Sequence, residues 1–460
     1  MHVRTLLNHV AKNQSFVYRD FTLTRFRGRE CVEITIEPRK NSPVLCSQCG
    51  KPAPVHSRLP ERRCEFVPLW QIAVFFLYAM RRVDCPRCKR VLVEKVPWVD
   101  GKSRHTTQYA LFIATWAKRL SWQEVARIFS TSWQSVYAAV KWVVDYGLEH
   151  RDLSGIRAIG MDEVQYSKGH KYLTLVYQID SHCRRLIWIG KDRTTESIEG
   201  FFTWFGRPRC HRLRFICSDM WKSYLSAAAK FAPRALNVLD RFHIVANLNR
   251  ALDLVRREEV STLRFKGKAA VLTKTKWILL KRTRNLTRKQ RTRFRELLEI
   301  NLRSVRAYIM KESFQHIWSY ILPSRAGRFL DLWCQDVMRS RIAPMKKMAR
   351  QFQEHRELIL NYFRARKEYS SGVVEGMNNK VKLTTRKHYG FRGDITRETA
   401  LYHALGALPE PDLGHKFAWL RPGKVTFNKE VRILPEKPLA TDSVSSLAGY
   451  LVTGRLMRRQ

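Results

Sequence analysis

The stretch RAIGMDEVQYSKGHKYLTLVYQIDSHCRRLIWIGK (residues 157–191) decides the fold. Three runs rich in β-branched and aromatic residues, RAIGMDEV, KYLTLVYQID and RRLIWIGK, are separated by short polar breaks at hairpin-like spacing. That is the pattern of three consecutive strands. Onward from it, TESIEGFFTWFG (195–206) reads as an amphipathic helix and LRFICSDM (213–220) as an apolar strand ending in an acid. KSYLSAAAKF (222–231) is a second helix and ALNVLDRFH (235–243) another strand. Two acids stand out, Asp162 in AIGMDEVQY and Asp219 in FICSDMWKSY, each closing an apolar strand. Burial disfavours their charge, so acids in this situation are paired with a cation, hydrogen-bonded or used as metal ligands. Taken singly, each also reads as a cap or a surface turn.

The order β-β-β-α-β-α-β matches a ribonuclease-H-like mixed sheet flanked by helices. After Asn247 the chain turns long, basic and helical up to about residue 366. It includes KRTRNLTRKQRTRFR (281–295), eight basic residues in fifteen with no acid, which reads either as a solvated charge run or as phosphate contact. The balance of the whole chain favours phosphate. Among 460 residues, 85 Lys and Arg face 40 Asp and Glu, a net charge of +45, and a polyanion is the natural partner. A ribosome-like or membrane-surface protein is the alternative on charge alone. With 45% hydrophobic and 27% charged residues the composition is globular. No apolar run reaches membrane-spanning length, and MHVRTLLNHVAKNQ lacks a signal-peptide core, so a cytoplasmic protein with no membrane association is expected.

Upstream of the sheet, residues 1–98 read as a small β-rich module, with CVEITIEP (31–38) and the continuous run FVPLWQIAVFFLYAMRRVDC (66–85) as strands. Cys46 and Cys49 form one CxxC pair, and Cys85 and Cys88 another. Four thiolates in two such pairs suit structural zinc, which would fasten a domain too small to hold itself together; redox chemistry is the alternative. His56 is a substitute ligand that four cysteines make unnecessary. The 35 residues between the pairs demand a long hairpin between the knuckles. Cys31, Cys64, Cys183, Cys210, Cys217 and Cys334 read as small buried hydrophobes. Residues 99–150 form a helical segment in which Ser121 and Glu124 make a capping-box pattern. The break STS before WQSVYAAVKWVVDYG resembles a helix-turn-helix, with Ser132, Gln134 and Ser135 at the amino end of the second helix facing DNA base edges. A plain helical linker is the other reading.

The segment YSSGVVEGMNNKVKLTTRKHYGFR (369–392) holds one acid, Glu375, among Lys380, Lys382, Arg386, Lys387 and Arg392. As a helix over 372–387 it places Glu375, Asn379, Lys382 and Arg386 on one face, with Val374, Met377 and Val381 on the other. The apolar face would pack on the sheet and bring Glu375 towards Asp162 and Asp219, while Lys382 and Arg386 follow a phosphate backbone. Three such carboxylates can hold two magnesium ions, with manganese able to substitute, for in-line attack at phosphorus by a water or a 3′ hydroxyl. Glu163 should face away from Asp162, Asp180 should cap a hairpin, and Trp133, Trp221 and Trp277 are stacking candidates or core.

These motifs together resemble a DDE transposase of bacterial insertion sequences, in particular the ISL-three family. The likeness covers roughly residues 40–405: the paired CxxC knuckles, the helix-turn-helix, GMDE around Asp162, SDMWKSY around Asp219, DRFH at Asp240 to His243, and VVEGMNNKVKLTTRKHYGFR around Glu375. The resemblance implies a catalytic triad of Asp162, Asp219 and Glu375 on a ribonuclease-H-like core split as 151–246 and 367–408, with the helical insertion 247–366 between the parts and a tail from 409 to 460. It implies cleavage and strand transfer at the element's terminal inverted repeats, double-stranded DNA as partner, a homodimer or larger synaptic assembly, and a bacterial, nucleoid-associated location. It implies a supporting role for Asp240 and His243. A non-catalytic DNA-binding regulator of transposase descent and a structure-specific nuclease are the rival functions.

Overall fold

The computed structural model of the chain describes residues 3–413 except 12, 14, 168, 170, 266, 268, 283, 284, 301, 369–371 and 392. The chain divides into Met1–Lys416 and Phe417–Gln460; the second unit, and with it nearly all of the expected tail, lies outside the described residues.

The first sheet follows helix α1 (Val3–Val10) and contains β1 (Phe16–Phe26), β2 (Arg29–Pro38), β3 (Val55–Leu69), β4 (Ile72–Cys85) and β5 (Arg90–Val93). Strand order is β1-β2-β4-β3 with β5 on β4, and only the β2–β4 pair is parallel. Its core is aromatic: Trp98 and Tyr78 both meet Phe16 edge to face, and Phe66 stacks on Phe76. The run 66–85, expected to be continuous, is broken. Leu69 pairs with Ile72 across a two-residue turn in which Trp70 and Gln71 have φ of 48° and 71°. Such a turn normally announces itself by Asn or Gly, and neither is present. β3 and β4 thereby make the long hairpin that the cysteine spacing demands.

Glu94 anchors this sheet. Its carboxylate is buried and accepts from Tyr78 Oη at 2.8 Å, the Arg81 backbone N–H at 2.6 Å, and Arg81 Nε and Nη2 at 3.0 and 2.7 Å. Removing one partner of a buried pair leaves an uncompensated charge. Glu94→Ala is therefore expected to destabilise the sheet by about 3–5 kcal/mol, read as a lower denaturant midpoint in chemical unfolding.

Helices α2 (Thr107–Ala117), α3 (Trp122–Ile128) and α4 (Trp133–His150) follow. Thr106 and Ser132 cap α2 and α4, and the Ser121–Glu124 capping box of α3 is present in full. Tyr109, Ile113, Val125, Val136 and Val140 bury the faces between them.

The second sheet is built from β6 (Ala158–Ser167), β7 (Lys171–Asp180), β8 (Cys183–Lys191), β9 (Phe215–Ser218) and β10 (Leu236–Leu239), in the order β10-β9-β6-β7-β8. β6–β7–β8 are antiparallel, and β9 and β10 run parallel to β6. Helices α5 (Thr195–Phe205), α6 (Arg207–Cys210) and α7 (Lys222–Phe231) supply Ile198, Phe201, Phe202, Phe205 and Tyr224 to one face. Then come α8 (Arg241–Phe265), α9 (Lys276–Leu280), α10 (Arg288–Leu298), α11 (Arg303–Phe314), α12 (Pro323–Arg339), α13 (Ala343–Glu354) and α14 (Arg356–Arg364). Their large core takes in Val238 and Leu239 of β10, and Asn361 donates to the Asn237 carbonyl at 2.9 Å, so this helical block is anchored to the sheet at β10.

The chain returns with α15 (Gly372–Lys387) and α16 (Asp394–Leu405), which cover the sheet's other face through Val374, Met377, Val381, Leu401 and Leu405. Gly160 explains the close fit: a Cβ there would lie 2.4 Å from Val374 Cγ2. α16 also packs on α4, and Lys387 donates to the Ala117 and Lys118 carbonyls at the end of α2. That lysine serves as a helix C-terminal cap. Of the six scattered cysteines, Cys183 is half-buried and the rest are buried.

Candidate active site

Parallel pairing of β6 with β9 aligns Ala158 with Phe215, Ile159 with Ile216 and Gly160 with Cys217. Continued by two residues, that register sets Asp162 beside Asp219, one strand spacing of about 4.8 Å apart along the sheet. β10 extends the row, because Leu239 pairs with Ser218 and the Asp240 amide donates to the Ser218 carbonyl at 2.8 Å. Asp219 and Asp240 thus follow the carboxyl ends of β9 and β10, whereas Asp162, expected to close its strand, lies midway along β6, which runs on to Ser167 because β7 continues to pair with it beyond the point where β9 stops.

Each acid of this row is held by its own donors. The Glu163 amide donates to Asp162 Oδ1 at 2.8 Å, and Asn378 Nδ2 donates to Asp162 Oδ2 at 2.7 Å. Asn378 is itself fixed by the buried Tyr177 hydroxyl, which donates to its Oδ1 at 2.7 Å. The Trp221 amide donates to Asp219 Oδ1 at 2.8 Å, and the Phe242 amide to Asp240 Oδ1 at 2.5 Å. His243 Nε2 lies 3.7 Å from Asp240 Oδ2. Burial pushes the Asp162 carboxyl up; the Glu163 amide and His243 oppose this, and the charges of Asp240 and Asp219 add to it. A divalent cation would offset the mutual repulsion of such an array of like charges.

Glu163 departs from the expected pattern. It faces away from Asp162 along the strand yet stays in the same electrostatic group, through Arg193. That guanidinium pairs with Glu163 Oε1 at 2.9 Å and with Asp219 Oδ2 at 3.6 Å, and lies over the Trp221 ring at 4.8 Å. Burial, followed by the Asp219 charge, still raises the Glu163 carboxyl to about 7 against the pull of Arg193. Asp180, expected at a hairpin cap, is buried and accepts from Gln178 Nε2 at 2.9 Å and from the Arg157 amide at 3.3 Å.

Glu375 lies in the first turn of α15, exposed, beside Asn379, Lys382 and Arg386, which are exposed as well. It lines a cleft of about 340 Å³ with Arg241, Phe242, Arg282, Tyr362 and Lys367. The buried face of α15 carries Asn378 in addition to Val374, Met377 and Val381. Among the described residues no three carboxylates bring their oxygens within 4.8 Å of one another. Asn378 and Arg193 are the two site residues the sequence reading missed. The spacing 374, 377, 378, 381 carried the signal for Asn378, whereas nothing local marked Arg193.

Asn378 is expected to act as a positioning residue. With Asp162 as a metal ligand for strand cleavage, the reading proposed below, Asn378→Ala should lower cleavage roughly 10–100-fold, the usual worth of a group orienting such a ligand. The magnesium concentration giving half-maximal rate should rise while duplex affinity stays constant; an unchanged magnesium dependence would count against this role.

The four cysteines are the one set among the described residues whose ligand atoms all lie within 4.8 Å of one another. Cys46 and Cys88 Sγ are 4.0 Å apart, and Cys49 and Cys85 Sγ 3.6 Å. Tetrahedral zinc with bonds of about 2.3 Å requires sulfurs about 3.8 Å apart, so the cluster fits structural zinc. The Cys49 amide pointing at Cys46 holds that thiol down to about 7. In the helical segment Ser132 Oγ accepts from the Ser135 amide at 3.1 Å, Gln134 and Ser132 are exposed and Ser135 is half-buried.

The class of protein to which this arrangement of acids and basic helix belongs is given by the family comparison. The model of the ISL3 family of DDE transposases, described as "Transposase", matches residues 159–395, just over half of the chain, which therefore belongs to that family. The chain is 29% identical over 351 residues to the transposase for insertion sequence element IS1001 of Bordetella parapertussis, covering 76% of this chain and 86% of that one. It is 27% identical over 384 residues to the transposase for insertion sequence element IS1557 of Mycobacterium tuberculosis, covering 78% and 84%. No helix among the described residues is long and apolar enough to cross a membrane.

Proposed function

We propose that the protein binds the terminal inverted repeats of an insertion sequence, cuts the strands there and joins the released 3′ ends to target DNA. The observation that carries this reading is the parallel register of β6 with β9, which brings Asp162 level with Asp219 just past the end of β9, with α15 packed against β6 at Gly160. The sheet order β10-β9-β6-β7-β8 is read as a ribonuclease-H-like core, and Asp162, Asp219 and Glu375 as its catalytic acids. Bound magnesium would supply Lewis acidity at the scissile phosphate and lower the pKa of the attacking water or hydroxyl. Asn378 and the Glu163 amide hold Asp162 in one orientation, and Arg193 offsets the charge of Asp219 and Glu163. Lys382, Arg386 and Asn379 contact the phosphates of the strand beside Glu375. Ser132, Gln134 and Ser135 at the start of α4, read as the recognition helix of a helix-turn-helix, contact the element's ends, and the partner is double-stranded DNA held in a homodimeric or larger complex. The protein works in the cytoplasm, associated with the nucleoid.

The test uses the purified chain, labelled duplexes carrying the DNA that flanks its gene, and magnesium. Cleavage at the repeat boundary with joining to a plasmid, both lost in Glu375→Ala, is the expected result. Cleavage without joining points instead to a nuclease. Binding without cleavage by wild type points to a regulator.

A further inference from the structure

The turn between β3 and β4 is built against the preference of its residues. Both Trp70 and Gln71 take left-handed backbone, at φ of 48° and 71°, where a bulky side chain is disfavoured and Asn-Gly is the usual choice. The turn carries no small residue, and Trp70 is 83% exposed. A large ring on a strained turn, left in water, is costly in two ways at once, and such outliers collect where function requires them.

Its surroundings indicate what the ring meets. β2 pairs with β4 in parallel with Cys31 level with Ala73, so the β1–β2 turn at Arg27 and Gly28 lies at the same end of the sheet as Trp70. Arg25, Arg27 and Arg29 are exposed there, with Glu30 the acid opposite Arg25. Arg63, a strand away, is taken up by Glu33 at 2.6 Å and is not free for a ligand. A projecting ring beside three arginines complements unstacked bases flanked by phosphates.

We propose that this end of the sheet is a DNA-contacting element of its own, separate from the carboxyl edge of the second sheet and from α4. Trp70 stacks on or wedges between bases of the element's end duplex, and Arg25, Arg27 and Arg29 contact the phosphates on either side. The proposal rests on the reading of the chain as a protein that binds duplex DNA.

The experiment compares wild type, the double variant Trp70→Asn/Gln71→Gly, and the double variant Arg27→Gln/Arg29→Gln, each as the full chain with its zinc. Affinity for a repeat-end duplex is measured over a salt series, alongside thermal unfolding. Asn-Gly suits the turn, so the first variant should unfold at the wild-type temperature or above it. It should nevertheless bind roughly tenfold more weakly at every salt concentration with an unchanged salt slope, as loss of stacking requires. The arginine variant should lower the slope by about 2, one unit for each phosphate that is no longer neutralised. Native affinity in the Trp70→Asn/Gln71→Gly variant overturns the proposal. So does unchanged single-end binding with altered sedimentation, which would make the tip a contact with a second copy of the chain. A wild type that binds no duplex overturns the proposed function along with this inference; a wild type that binds while the variants bind equally well overturns this inference alone.

Discussion

Asp162→Ala and Asp219→Ala, made singly, are expected to reduce strand cleavage by well over a hundredfold while leaving duplex affinity within a factor of about two. The lower bound follows from the hierarchy of contacts around a metal. Groups that orient a ligand are worth roughly 10–100-fold, and removal of the ligand itself costs more. Binding survives because the charge that attracts DNA is spread over 85 basic residues, and each substitution removes a negative group rather than a positive one. Folding is expected to survive too. Asp162 is raised above its ordinary value by burial and flanked by Asp219 and Asp240, so its loss relieves repulsion at that edge. Asp162→Asn gives a second control: it keeps the shape beside Asn378 and removes the charge, along with one of the two acceptors that serve the Glu163 amide and Asn378 Nδ2. Full cleavage by Asp162→Asn would remove Asp162 from the catalytic acids.

Removal of zinc is the second large effect. With chelator, or in Cys46→Ser/Cys49→Ser, the β4–β5 end of the first sheet should come apart, since that end has a small core of its own around Val83, Ala53 and the cysteines. Four-thiolate sites contribute about 10–16 kcal/mol of apparent binding energy at neutral pH, more than so small a cluster can replace. The Glu94 network lies next to it, where Cys46 bridges to Glu94, so loss of protection in amide exchange should spread from Cys46 and Cys85 to Arg81 and Tyr78. The second sheet and the helical block have separate cores and should keep their protection. Specific binding to repeat ends should fall more than non-specific binding; equal losses would remove this module from end recognition.

Local pattern was enough for the elements that repeat or alternate. The three strands of residues 157–191, the apolar strand before Asp219, the capping box of α3 and the two cysteine pairs are all properties of short windows, and the structure keeps each of them. The sequence also marked 372–387 as a helix with Val374, Met377 and Val381 buried. It missed the turn at Trp70 and Gln71, because the residues there do not favour the backbone they adopt. It assigned the exposed Asn379 to DNA and overlooked Asn378, whose role exists only because α15 settles on β6 at the one position without a Cβ.

By itself, the amino-acid sequence determined the strand and helix pattern, the two cysteine pairs that fit zinc and the acid that follows the apolar strand β9, while it placed Asp162 at a strand end that the structure puts five residues further on. Only the tertiary structure decided which acids become neighbours. The parallel register of β6, β9 and β10 is set by packing on both faces of the sheet, and that packing joins segments as far apart in the chain as Tyr177 and Asn378. The reach of Arg193 to Glu163 and Asp219 depends on the same assembly. Short-range preference acts over a few residues, whereas the electrostatic group at the sheet edge forms only when those distant strands and α15 are brought into register.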